Sequence, residues 1–346
     1  MNKADQIKIY KNLSLIRKTQ EEIVDRYHPA DKMKCPMHFC IGQEMTPAVL
    51  NPLMIKEDSI YSHHRSHGYF ISKKGPIREM IAEFYGKTTG TNGGLAGSQE
   101  LSSSKINFYS GTILSGAFAM ALGDAYEKNY SKKKGIAISV VGDGGMEEGI
   151  VYESLNMASL MKLPVLFICE NNKYSTHTTL PQRTLEHNPI HKVKNFNIDT
   201  SYFNSNDPDK LYDLMNKIIK KIRKTKKPHF IEVNTYRFNG HVGPEGDDHF
   251  NYRSKKEIKN WIAKDPLKFY EKKLLKKIKN FSKFKNKIDK DNLKTIDEAF
   301  EFAEKSDFPK EYQSNNFKGT YKNVKKFYDN DISFGLIQEG HKPKPY

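Results

Sequence analysis

Apolar positions along the chain fall into short continuous runs and longer stretches with helical spacing. Two runs are continuous: GIAISVV, ending at Val141, and LPVLFIC, ending at Cys169. Runs of this kind are expected of strands buried on both faces of a parallel sheet. Between them, over residues 146–161, Ile150, Val151, Leu155, Ala158 and Met161 recur at helical spacing. Glu147 and Glu148 stand where the positive end of a helix dipole favours negative charge. The pattern predicts a strand, turn, helix, strand unit. Its crossover makes the two strands parallel, which puts Asp143 and Asn172 at carboxyl ends, the edge of an open α/β sheet where ligands bind.

The rest of the chain extends the pattern. Residues 6–27 carry Ile7, Tyr10, Leu13, Ile16 and Ile23 in a broken helical repeat that stops before Pro29. A loop through Pro36 leads to a helix from Thr46, a strand near Ile60, the turn HHRSH and a helix over 75–86. Residues 86–104 have a Gly-, Ser- and Thr-rich loop composition, and 111–130 return to helix. Strands near Phe196 and Phe230 flank a helix opened by Asp207 and Pro208, with Leu211, Leu214, Met215, Ile218, Ile219 and Ile222 on one face. The predicted fold is α/β, a doubly wound, mainly parallel sheet flanked by helices over residues 1–253, with a helical, Lys-rich extension over 254–346.

Length and composition narrow this picture. A chain of 346 residues can bury a large core as one domain or two, and no internal repeat divides it. No apolar run is long enough to span a bilayer, and the N-terminus has neither a secretory apolar core nor an Arg-rich transit composition. A soluble, cytoplasmic protein with no membrane partner is expected. Cys35, Cys40 and Cys169 are an odd count with no CxxC pair, which argues against a disulfide framework or a zinc site. The formal charge of +16 invites a polyanion-binding reading. Much of the lysine, however, lies after Tyr252, on a segment whose Leu274, Leu275, Ile278 and Phe281 read as the inner face of a helix. A solvated helical face accounts for that charge, and no nucleic-acid recognition motif accompanies it.

The turn between the two apolar runs carries chemistry. Asp143 offers a carboxylate and Asn172 an amide oxygen, both hard donors suited to Mg²⁺, which shares its shell with phosphates. Gly144 and Gly145 lack a Cβ, so a phosphate could approach their N–H groups at the positive end of a helix beginning near Met146. Either piece alone is an ordinary turn, but their pairing across a complete βαβ unit is more specific. His63, His64 and His67 could be read as a metal cluster. Arg65 among them argues instead for a diphosphate, which a guanidinium grips through two oxygens. His241, in the Gly-rich NGHVGPEG, sits just past a predicted strand in a loop of the kind that covers sites.

GDG followed by NN, with IGQE at 41–44, HRSHG at 64–68, GGLAGS at 93–98, NFYSGTIL at 107–114 and YRFNGHVGPEG at 236–246, resembles one family throughout residues 8–270. It is similar to the alpha subunits of thiamine-diphosphate-dependent 2-oxo acid dehydrogenase first components, such as those for pyruvate, branched-chain oxo acids or acetoin. The resemblance implies that Gly142, Asp143, Gly144 and Gly145 form the diphosphate turn, with Arg65 and His241 on the same anion and His67 near the reacting end. It also implies that backbone groups of Thr112 and Leu114 hold the aminopyrimidine, and that Asp143, Asn172 and the Tyr174 carbonyl bind Mg²⁺. His67 and His241 are then the candidate catalytic residues.

The same resemblance implies a partner. In the family the glutamate that activates the cofactor belongs to a beta subunit with the pyrimidine-binding domain, so an α₂β₂ assembly is expected, with a lipoyl carrier as acyl acceptor. Departures from the family pattern are specific. His64 stands where many relatives have tyrosine and Glu100 where histidine is common. Asn239 and Val242 replace a histidine and a serine, so phosphorylation of that serine is not available here. Two other functions stay open at this point: a transketolase-like or decarboxylating lyase on a sugar-derived substrate, and a non-enzymatic polyanion-binding module.

Overall fold

The computed structural model describes residues 1–30, 32–33 and 35–309. Nine strands occur among them: β1 (Ser59–Ser62), β2 (Ser102–Ser103), β3 (Phe108–Ser110), β4 (Ala137–Gly142), β5 (Val165–Asn171), β6 (Tyr174–Ser175), β7 (Thr178–Thr179), β8 (Asp199–Phe203) and β9 (His229–Asn234). Seven of these make one sheet in the order β2-β3-β1-β4-β5-β9-β8, and β6 and β7 form a separate hairpin. Every pair in the large sheet is parallel except β2 with β3. The register sets Gly142 beside Glu170 and Asn171 beside Asn234, so the carboxyl ends of β4, β5 and β9 are level.

Alternation along each strand divides the core into two layers. Ile138 and Val140 of β4, Leu166 and Ile168 of β5, and Ile231 and Val233 of β9 face one layer. Ala137 and Val141, Val165, Phe167 and Cys169, and Phe230 face the other. The first layer is covered by α1 (Lys3–Ala30), α2 (Met45–Leu50), α3 (His67–Ser72) and α4 (Ile77–Phe84), and the second by α5 (Gly116–Tyr130) and α6 (Gly149–Met161). After β7 come the single turn α7 (Leu180–Arg183), then α8 (Pro189–Lys194) and α9 (Pro208–Thr225), the latter returning to the first layer. Helices on both faces of a mostly parallel sheet are the architecture the sequence predicts.

The first helix, expected to stop before Pro29, runs on to Ala30, and three further elements differ from expectation, each for a local reason. The helix expected from Met146 starts at Gly149. Residues Gly145–Glu147 close a tighter 3₁₀ turn, with Glu147 N–H donating to the Gly144 carbonyl, and Glu148 turns extended before the helix begins. The strand expected near Phe196 begins instead at Asp199. Asn188 caps α8 by accepting the Ile190 N–H at 2.9 Å, and Asn197 in the left-handed region ends that stretch before the strand. The helix expected over 111–130 begins at Gly116, leaving 111–115 as a loop. Strands β2 and β3 were not legible as apolar runs, because β3 is short and β2 is two serines.

The Lys-rich extension is helical: α10 (Lys255–Ile262), α11 (Pro266–Lys277) and α12 (Phe281–Lys305). Tyr270, Leu274, Ile288, Ile296 and Phe300 are buried in the same core as α1 and α4, while Leu275, expected on the inner face, points to solvent. A buried ion-pair network ties the extension to the first layer: Arg17 of α1 pairs with both Glu44, of the IGQE motif, and Asp265, the N-cap of α11. The composition boundary near residue 253 is therefore not a break in packing. Residues 310–346 of the expected extension lie outside the described residues. Among the described residues no helix is long and apolar enough to cross a membrane.

Candidate functional site: a diphosphate-sized cleft at the sheet edge

Strands β1, β3, β4, β5 and β9 end along one edge, and the loops leaving them enclose a cleft of about 250 Å³. Twelve of the residues singled out from the sequence line it: His63, His64, Arg65, Thr112, Leu114, Gly142, Asp143, Gly144, Gly145, Asn172, Tyr174 and His241. His67 does not. It is fully buried at the start of α3, its Nδ1 beside the Gln20 side chain and its ring 4.8 Å from that of Phe84. Burial pushes its pKa down to about 4.

The floor of the cleft is the Gly-Asp-Gly turn. Asp143 is 1 % exposed. One carboxylate oxygen accepts the Asn172 N–H at 3.2 Å and the other the Arg183 Nη2 at 2.6 Å. Burial raises the Asp143 pKa against the pull of Arg183. Asn172 folds back so that its side-chain oxygen accepts the Tyr174 N–H at 3.1 Å, a turn that takes Lys173 to φ 75°. The carboxylate, the amide oxygen and the Tyr174 backbone are thus neighbours. They come from two strand ends twenty-nine residues apart in sequence.

The glycines of this turn serve different ends. A Cβ on Gly145 would stand 2.3 Å from Val141 Cγ2 and one on Gly144 would stand 2.5 Å from Ser175 Oγ, so close packing of the protein itself requires them. A Cβ on Gly142 would meet nothing within 4 Å. It is Gly142 that leaves a free cradle toward the cleft.

The opposite wall is cationic and rich in imidazole. Arg65 is 4 % exposed and donates to the carbonyls of Phe39 and His241 at 2.9 and 2.8 Å. Among the described residues no carboxylate pairs with it, and burial, with the Arg237 guanidinium nearby, lowers its pKa to about 9. His38, His64 and His241 surround it, with ring centroids 4.5 to 5.9 Å apart. Burial first and Arg65 second push His38 down to about 2 and His241 to about 3, and His64 well below its ordinary value, so all three are neutral. Several buried polar atoms here have no protein partner, among them His38 Nδ1, His64 Nε2 and Glu170 Oε1. A buried cation that no carboxylate among the described residues pairs with, beside unpartnered imidazole nitrogens, suits a polyanion. Among the described residues no group of three His, Cys, Asp or Glu side chains is arranged to hold a metal.

Two loops are held in place by single carboxylates. Asp247 binds Arg237, Arg253 and the Tyr252 hydroxyl and accepts the His241 N–H at 2.7 Å, which fixes the loop carrying that histidine. Buried Glu83 accepts four backbone N–H groups, from Asn92, Gly94, Ala96 and Gly97, and so shapes the Gly-rich loop that brings Gln99 to the cleft. Glu100, next along, accepts the Thr112 hydroxyl at 2.7 Å. Sequence reading missed His38, Gln43, Ser175 and Thr176, which line the cleft, and Arg183. Gln43 had a signal, since it belongs to IGQE; the others had none.

A dehydrogenase E1 component model matches residues 11–311. The chain belongs to that family. It is 31 % identical over 310 residues to the pyruvate dehydrogenase E1 component subunit alpha of Rickettsia bellii, covering 89 % of this chain and 94 % of the relative. It is 29 % identical over 305 residues to the mitochondrial testis-specific form from Rattus norvegicus, covering 88 % of this chain and 76 % of the relative. With the alpha subunit of Rhizobium meliloti it shares 27 % identity over 310 residues. It is thus an alpha-type E1 chain of the 2-oxo acid dehydrogenases, and the cleft contains most of the motifs by which it resembles them.

Proposed function

We propose that this E1 chain is the alpha subunit of a thiamine-diphosphate- and Mg²⁺-dependent 2-oxo acid dehydrogenase that works only with a beta subunit. The observation that carries the reading is Arg65: a buried guanidinium with no carboxylate partner among the described residues, lining one small cleft with Asp143 and Asn172. Anion and cation sites at that spacing suit a metal diphosphate. Asp143, the Asn172 amide oxygen and the Tyr174 carbonyl would hold Mg²⁺, and Arg65, His241 and the turn from Gly142 to Gly145 the diphosphate. Thr112 and Leu114, at the mouth of the cleft, would offer backbone groups to the aminopyrimidine. When bound, thiamine diphosphate supplies the nucleophilic carbon and electron sink for decarboxylating a 2-oxo acid. This chain positions it and neutralises its charge; the activating glutamate comes from the partner, and a lipoyl carrier takes the acyl group.

Calorimetry of the full chain with its beta partner, thiamine diphosphate and Mg²⁺ tests the site. Asp143→Asn and Asn172→Ala are expected to weaken binding strongly, and undiminished affinity in both would remove the assignment.

A further inference from the structure

Asp143 has two oxygens and both are already engaged. Oδ1 accepts a backbone N–H, and Oδ2 is held by Arg183, which reaches in from α7 with its side chain only 10 % exposed. Arg183 is itself steadied: Nε donates to the Thr179 carbonyl at 3.2 Å and Nη1 lies 3.3 Å from Glu147 Oε1. Nη1 is also 3.1 Å from where a Gly144 Cβ would stand, so the guanidinium lies against the floor turn. A carboxylate this deeply buried is costly without a counter-charge, and the guanidinium supplies one.

A divalent ion on Asp143 must approach the oxygen that Arg183 holds, and two cations on one buried oxygen repel each other strongly where the dielectric is low. We propose that Arg183 is a resident counter-ion of the cofactor site, occupying Asp143 in the apo protein and displaced from it when the metal binds. This rests on the reading of Asp143 as a metal ligand. It adds that metal binding is opposed by an internal cation and coupled to movement of α7. Thr179 and Gln182 close a local capping box at the start of that turn. The hairpin before it, β6 and β7, carries Ser175 and Thr176 of the cleft wall, so loading the metal would reshape the wall that faces the ligand.

The test uses the full-length chain and Mn²⁺ alone, followed by the resonance signal of the free ion. Arg183→Gln is expected to bind Mn²⁺ about tenfold more tightly than wild type, a typical coupling between competing sites. Arg183→Lys should remain near wild type, and Asp143→Asn should not bind. Equal or weaker binding by Arg183→Gln, with Asp143→Asn still inactive in binding, overturns the counter-ion role and leaves the metal site standing. Absence of Mn²⁺ binding in every form, with thiamine diphosphate also present, overturns both. A second measurement needs no variant: in wild type, hydrogen exchange over residues 178–186 should rise when Mn²⁺ is added, and unchanged or slower exchange there contradicts displacement of Arg183.

Discussion

The Asp247 carboxylate accepts the His241 backbone N–H at 2.7 Å while binding the guanidiniums of Arg237 and Arg253. One side chain thus fixes the position of a cleft histidine and pairs with two buried cations. Replacing Asp247 with Asn keeps the shape and removes the charge, leaving both guanidiniums without a carboxylate. The expected cost is about 3–5 kcal/mol of folding stability, the range for breaking a buried ion pair from one side. Urea unfolding of the variant measures it; a loss below roughly 1 kcal/mol, the value of an exposed pair, would deny Asp247 that role.

Arg65 is held by two carbonyls, not by a carboxylate, so its charge remains available to a ligand. Arg65→Lys keeps a positive charge but gives up the planar fork that grips two oxygens at once. Inorganic pyrophosphate is expected to bind this variant about tenfold or more weakly than wild type. Calorimetry at fixed ionic strength reads the change. Equal affinity would mean that Arg65 contributes only a diffuse field.

How much of this could be read from the sequence depended on how local each cause was. Strands β4 and β5 announced themselves because burial on both faces leaves almost no polar position in the runs, Ser139 being the exception. The start of α6 did not. Its turn is stitched partly by Ser115, whose hydroxyl donates to the Gly145 carbonyl from thirty residues away. Arg183 is separated from Asp143 by forty residues and sits in no periodic pattern, so only the fold brings the pair together. The helix over α12 was expected, but its lysines concealed how far it enters the core, because Ile288, Ile296 and Phe300 recur on one face while the charges take the other. His67 misled for the converse reason: its place in HRSHG pointed to chemistry, yet the first turn of α3 directs it inward against Gln20.

The glycines of the floor turn predict opposite outcomes for one substitution. At Gly145 an added methyl meets Val141 and Ser115 at 2.3 and 2.8 Å, so Gly145→Ala should destabilise the fold by about 1–3 kcal/mol, the usual cost of overpacking. At Gly142 the methyl meets nothing, so Gly142→Ala should leave stability within about 0.5 kcal/mol of wild type while weakening diphosphate binding. Paired denaturation and binding curves decide between them. Loss of stability in Gly142→Ala, or unaltered binding, would mean that the cradle does not face a ligand.

Buried neutral histidines make the fold sensitive to mild acid. Burial pushes His38 down to about 2, His241 to about 3, and His67 and His229 to about 4. In the unfolded chain each titrates near its ordinary value of about 6.5. Below that pH the unfolded state binds protons the folded state refuses, so stability falls as pH drops, by up to about 1.4 kcal/mol per unit for each histidine. The loss for each group stops only at its folded value. Asp247 adds a later loss. Burial alone would raise its pKa, but the Tyr252 hydroxyl and the two guanidiniums outweigh burial and bring it to about 2, so its stabilisation is present above about 3.9 and disappears between there and 2. Urea midpoints should therefore hold nearly level from pH 7.5 to about 7 and fall from there to pH 5, where the histidines act and Asp247 does not. A midpoint constant across that interval would mean that the histidines are not held neutral in the fold.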